Sequence, residues 1–248
     1  MIFSKSRPAL FAGVIYCIAS SAFAQSEAQL VDAFSGEWYI FEPGFSVNAS
    51  PCKLTFDKDP LINEDLRERR VDVDTNCAAP FSSQTLQWRV LDGKILLQST
   101  NGNKLAELGG NPDRLSGDLN ASIDAVILER KAGSDYKRGL VSALRRHKCY
   151  YLGYSAKCAD DSATGAPRSE TDTDNIDVLV DLNVRSQPRR NAAVVGVVPR
   201  NSEISVNLCL EASDGVWCRA GFGEIAGWMA KSVVRDEEWP VITFVESK

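Results

Sequence analysis

Seven cysteines, one histidine and a scatter of carboxylates are the side chains in this 248-residue chain with the most obvious chemistry. Six of the cysteines fall into three sequence-local pairs, Cys52/Cys77, Cys149/Cys158 and Cys209/Cys218, and none of these pairs has the Cys-x-x-Cys spacing of a redox motif or zinc knuckle. His147 is the only imidazole, so a histidine-based metal site or a Ser/His or Cys/His nucleophile pair has no second partner. The acidic residues Asp57, Asp59, Glu64, Asp65, Asp72 and Asp74 lie in turn-rich stretches, as solvated loops do. No serine-centred elbow and no phosphate-cradling glycine loop is present. The inventory points to a binder with no catalytic residues, no metal and no cofactor.

Six cysteines allow 15 connectivities. Proximity within each inferred unit favours 52–77, 149–158 and 209–218 as structural disulfides. On the chain-entropy model, closing a loop of about 25 residues stabilises by roughly 3.5 kcal/mol and a loop of about 10 by roughly 2.7 kcal/mol. Disulfides imply an oxidising compartment. The amino terminus agrees: Lys5 and Arg7, an apolar run from Ala9 to Ala19, then Ala22-Phe23-Ala24, which is the pattern of a cleaved secretory signal over residues 1–24. The run is too short for a membrane span. Tyr16 is too bulky to precede a lipidated Cys17. A periplasmic or secreted bacterial protein is expected, with no transmembrane span.

Cleavage removes two of 28 basic residues and none of 33 acidic ones, leaving a net charge of about −7. That balance argues against a general nucleic-acid binder.

Residues 38–128 read as short strands with period-two alternation, as in Leu54/Phe56, Val71/Val73 and Trp88/Val90. Asp92-Gly93 and Asn101-Gly102 sit between apolar runs as hairpin turns. Seven or eight antiparallel strands in about 100 residues bury their apolar faces best by closing into a barrel. Residues 133–175 break the pattern. Lys137, Arg138, Arg145, Arg146, Lys148 and Lys157 are interleaved with Tyr136, Tyr150, Tyr151 and Tyr154, and Gly139–Arg146 could form one or two helical turns. This basic segment is either a solvated face on a disulfide-closed loop or a contact for an anionic envelope polymer or membrane surface. Residues 160–175 have a linker's composition. From Ile176 to Val234 strands resume, with Asp214-Gly215 between Cys209 and Cys218 in a hairpin that sets the two cysteines face to face. The expected organisation is a signal peptide (1–24), a first barrel (25–132), a basic segment and linker (133–175), a second small barrel (176–236) and a tail (237–248).

Gly36-Glu37-Trp38, Cys52-Lys53-Leu54, Cys77, Trp88-Arg89 and Leu128-Glu129-Arg130, in this order and spacing over about residues 27–131, resemble the alkaline-protease inhibitor (Inh) family of secreted or periplasmic eight-stranded antiparallel barrels. The resemblance implies inhibition of a secreted, serralysin-type zinc metalloprotease. A flexible trunk ahead of the barrel would enter the protease cleft, its amino end approaching the zinc. Here the trunk is Gln25–Ser35, led by Gln25, Ser26, Glu27, Ala28, Gln29 and Leu30; an extended strand can pair with a cleft edge and a free amine can ligate zinc.

Leu182-Asn183-Val184-Arg185-Ser186-Gln187-Pro188, Val195-Gly196-Val197-Val198-Pro199, Trp217-Cys218-Arg219 and Gly227-Trp228-Met229 resemble bacterial Src-homology-3-like (SH3-like) domains over about residues 176–236. That resemblance implies a small non-catalytic β-barrel that targets cell-wall peptides (peptidoglycan) or an envelope protein. Trp217 and Trp228 are either half-exposed platforms for a peptide or glycan or members of the core. The fold class expected is therefore all-β: an eight-stranded antiparallel β-barrel followed by a small SH3-like β-barrel. Its function is either protease inhibition or non-inhibitory envelope binding by an adaptor.

Overall fold

The computed structural model describes residues 26–61, 67–120, 124–130, 135–167 and 174–247; the signal segment, Cys17 and Gln25 lie outside these. After helix α1 (Glu27–Phe34), eight strands follow: β1 (Gly36–Ile40), β2 (Cys52–Pro60), β3 (Arg69–Val73), β4 (Leu86–Leu91), β5 (Lys94–Ser99), β6 (Lys104–Asn111), β7 (Arg114–Asp118) and β8 (Ala125–Glu129). They pair with their sequence neighbours and close into a barrel through Tyr39 of β1 opposite Glu129 of β8. The β4–β5 hairpin turns on Asp92 and Gly93, both at positive φ, as a right-twisted two-residue turn requires. Inside, Trp38, Phe56 and Trp88 form a ladder with centroids 6.1 and 5.2 Å apart, while the indole N–H groups of Trp38 and Trp88 donate to the carbonyls of Phe34 and Asp57. Where β1 ends, Phe45 meets Phe81 edge to face beside the buried Cys52–Cys77 disulfide. The barrel expected from alternation is the barrel found.

The basic segment forms α2 (Asp135–His147), longer than the turn or two expected over 139–146. It buries Leu140 and Ala143 and ends at Lys148, whose positive φ stops the helix. The Cys149–Cys158 disulfide then encloses β9 (Tyr151–Leu152).

The remaining strands are β10 (Asp174–Val178), β11 (Leu182–Arg185), β12 (Val194–Val198), β13 (Glu203–Ala212), β14 (Gly215–Phe222), β15 (Ile225–Ala230), β16 (Ser232–Arg235), β17 (Trp239–Ile242) and β18 (Phe244–Glu246). Seven of them form an antiparallel sheet in the order β12-β11-β15-β14-β13-β10-β18, and β16, β17 and β9 form a second, three-stranded sheet. Cys209 faces Cys218 across the β13–β14 hairpin and is bonded to it. The edge strand β12 shows Val194, Val195 and Val197 to solvent.

Residues 237–248, expected as a tail, instead supply β17 and β18. Val241, Ile242, Thr243 and Phe244 are buried. The apolar run Val241–Val245, broken only by Thr243, drives this, because such a run burdens the folded state unless it is covered.

Lys231, between β15 and β16, is 2% exposed. Its ammonium lies 4.9 Å from the Phe244 ring and donates to the Phe244 carbonyl at 3.4 Å. Burial pushes its pKa down to about 8 from 10.5. The folded state therefore binds this proton more weakly than the unfolded chain. The penalty is complete below about pH 8 and fades as pH rises toward the unfolded value. Lys231→Met is expected to raise unfolding free energy by about 1–3 kcal/mol at neutral pH. In urea titrations the advantage should shrink as pH approaches about 10; a pH-independent difference would contradict the burial account.

Candidate functional site

The segment expected as a flexible trunk is helical from Glu27 to Phe34. Ser26 is its N-cap: the Ser26 hydroxyl accepts from the Gln29 amide and the Gln29 side chain accepts from the Ser26 amide, a reciprocal capping box. Ser26, Glu27, Ala28 and Gln29 are exposed, whereas Leu30 packs against the barrel core with Ala33, and Val31 and Phe34 are buried in it. Four exposed, mostly polar residues followed by apolar residues at 30, 31 and 34 place one face of a helix on the barrel and leave its first turn in water.

The base of this helix is fixed by barrel side chains. Helix ends leave carbonyls without partners. Here Arg130 donates to the Ala33 carbonyl at 2.6 Å and Trp38 to the Phe34 carbonyl at 2.8 Å. Arg130 also reaches the carbonyls of Glu37 and Pro112 and lies 4.0 Å above the Trp38 ring. Lys58 pairs with Asp32 at 2.8 Å, and Arg69 lies 4.0 Å from Glu27. The tip Ser26–Gln29 thus projects from a rigid base. Arg130→Ala removes three donors and a cation–π contact at once, with an expected loss of about 2 kcal/mol in global stability. Helix amides near Phe34 should exchange faster with deuterium, and unchanged protection there would show that Arg130 is not the anchor.

The second candidate site, Trp217 and Trp228, is not a surface. Trp217 is fully buried and Trp228 is 8% exposed. They pack with Leu210 and Ala230 against Ala125 and Ile127 of β8. Strand β8 is buried along its whole length: Val126 and Leu128 point into the barrel core, Ala125 and Ile127 into this interface. The tryptophans bind the neighbouring half of the same chain.

Beside them lies a polar cluster that sequence reasoning did not find. Arg114 of β7 forms ion pairs with Glu129 of β8 and, at 2.7 Å, with Asp214 in the β13–β14 turn. Arg190 meets the other Asp214 oxygen at 3.0 Å while stacking on Trp217 and Tyr136. The Trp217 indole donates to Asp214, the Ser213 amide and hydroxyl donate to Glu129, and Arg114 also donates to the Pro188 carbonyl. Burial alone would raise the Asp214 carboxyl, but Arg190 and Arg114 outweigh it and hold the pKa below the ordinary 3.8. Two cations face two anions, so the cluster is neutral, and each carboxylate accepts several hydrogen bonds, the condition under which buried charge is tolerated. At the rim, Glu42 accepts from the Glu211 amide at 2.7 Å and Arg219 pairs with Asp118 at 2.6 Å. The two halves are welded.

His147 lies tilted against Trp239, centroids 4.3 Å apart, and near Tyr151; Arg146 pairs with Glu238 at 3.3 Å. Among the described residues no group of three or more His, Cys, Asp or Glu is placed to hold a metal ion, and no helix is long and apolar enough to cross a membrane.

Residues 29–130, the barrel with most of α1, match the model of the protease inhibitor Inh family. No curated protein and no solved structure gives a match.

Proposed function

We propose that this protein is an exported bacterial inhibitor of a secreted, serralysin-type zinc metalloprotease, acting through the tip of α1. The match of residues 29–130 to an inhibitor family is the observation that carries this reading, and the anchored helix supports the mode. After signal cleavage the chain starts at Gln25, or at Ser26 after trimming, one residue or none ahead of the helix cap. The turn Ser26–Gln29 is an exposed wedge whose ordering cost has already been met by Arg130 and Trp38. A primary amine is a competent zinc ligand and the polar turn can donate and accept along a cleft wall.

The C-terminal half, with its SH3-like sequence motifs, serves in this reading as an envelope- or partner-binding module. Trp217 and Trp228 take no part in that binding because they are consumed in the weld. Its ligand must use another face.

Titrating the signal-cleaved chain into a serralysin-type protease tests the proposal. Hydrolysis of a peptide substrate is expected to fall linearly to zero at one equivalent. Undiminished hydrolysis in the presence of a large molar excess would overturn it.

A further inference from the structure

Away from the helix tip, and bordering the weld at Arg190, a cavity of about 330 Å³ opens between α2, β11 and the β16–β17 sheet. Its size suits a small ligand. Its polar lining is dominated by donors. Arg185 gives Nη1 to the Ala192 carbonyl at 2.8 Å, which leaves Nε and Nη2. Arg190 uses Nε and Nη2 on Asp214, leaving Nη1. The Tyr136 hydroxyl accepts from the Val234 amide at 2.6 Å, so its own proton remains to be given. Arg235 stands at the rim over the Tyr154 ring. The apolar wall is Val180, Leu182, Val233 and Val241, all aliphatic.

The charges do not balance inside this cavity. Arg190 is compensated by Asp214 and Arg235 by the exposed Asp236. Arg185 forms no ion pair among the described residues. Asp181, the one acidic side chain of the lining among the described residues, is exposed and accepts from the Arg200 amide. Burial, and then the neighbouring Arg190 charge, push the Arg185 pKa down, as expected of a cation held near another without its own anion. A half-buried guanidinium with a free edge, beside a phenol donor, matches the two oxygens of a carboxylate.

We propose that this cavity binds a carboxylate carried on a short aliphatic chain, such as the free C-terminus of a peptide ending in small residues. Arg185 holds the carboxylate, Tyr136 donates a further hydrogen bond, and Val180, Leu182, Val233 and Val241 take the alkyl part. The site is independent of α1 and of protease inhibition.

The probe is N-acetyl-alanyl-alanine, titrated into the signal-cleaved full chain by calorimetry or NMR, with its C-terminal amide and inorganic phosphate as comparisons. The acid is expected to bind with a dissociation constant at or below the millimolar range, and the amide at least about tenfold more weakly. Arg185→Gln should lose about tenfold and Arg185→Lys, which keeps the charge without the fork, a smaller factor. Arg235→Gln, at the rim, should lose less than Arg185→Gln and gives a second readout that does not depend on how the first variant folds. No binding of the acid at millimolar concentration, equal binding of acid and amide, equal binding of phosphate, or unchanged binding by Arg185→Gln would each overturn the assignment.

Discussion

Asp214→Ala is expected to destabilise the protein by about 3–5 kcal/mol, because it leaves the buried Arg114 and the part-buried Arg190 without their shared anion. The same change removes the acceptor of the Trp217 indole. Urea unfolding of the wild type should be a single transition, since the weld couples both halves. In the variant the halves should separate into two transitions. The pH dependence has a definite sign. The Asp214 carboxyl is held below its unfolded value, so its contribution is complete above about pH 4 and is lost as pH falls through the folded pKa. Acid should therefore erase much of the difference between wild type and variant. A loss below about 1 kcal/mol, with cooperativity intact, would show that the apolar part of the interface suffices.

Deleting residues 25–30 from the exported chain is expected to weaken protease inhibition by about a thousandfold or more, the effect of removing a hot spot worth about 4 kcal/mol. The deletion spares Val31, Phe34 and the contacts of Arg130 and Trp38 at the end of α1. The barrel should stay folded, with a modest drop in its unfolding midpoint from the lost Leu30 packing and Ser26 cap. The loss would then belong to the tip and not to collapse of its support. A truncated chain that still inhibits at one equivalent would move the protease contact onto the barrel wall or the C-terminal half.

The barrel was legible in the sequence because each device that builds it is local. Leu54/Phe56 and Trp88/Val90 alternate, and Asp92-Gly93 supplies the positive φ angles of its hairpin. The cysteine pairs were legible because each closes a short loop across adjacent backbone. The weld was not, since Arg114 and Asp214 are 100 residues apart and Asp214 stands in what reads as an ordinary Asp-Gly turn. One signal was available: Ala125–Leu128 is continuously apolar where a barrel strand with a wet outer face would alternate. The same reasoning applied to Val241–Val245 would have removed the expected tail. The segment 25–35 was read as a flexible trunk, and its helical conformation was missed. Ser26 and Gln29 carry a capping box in plain view, followed by apolar residues at helical spacing.

In the proposed mode, a helix tip on a welded two-part body is what a protease meets. Hydrogen exchange on the complex with a serralysin-type protease tests it most directly. New protection of amides 27–30 is expected, with the edge strand β12 unchanged. Protection confined to the barrel wall or to the C-terminal sheets, with the first turn of α1 exchanging as in the free protein, would contradict it.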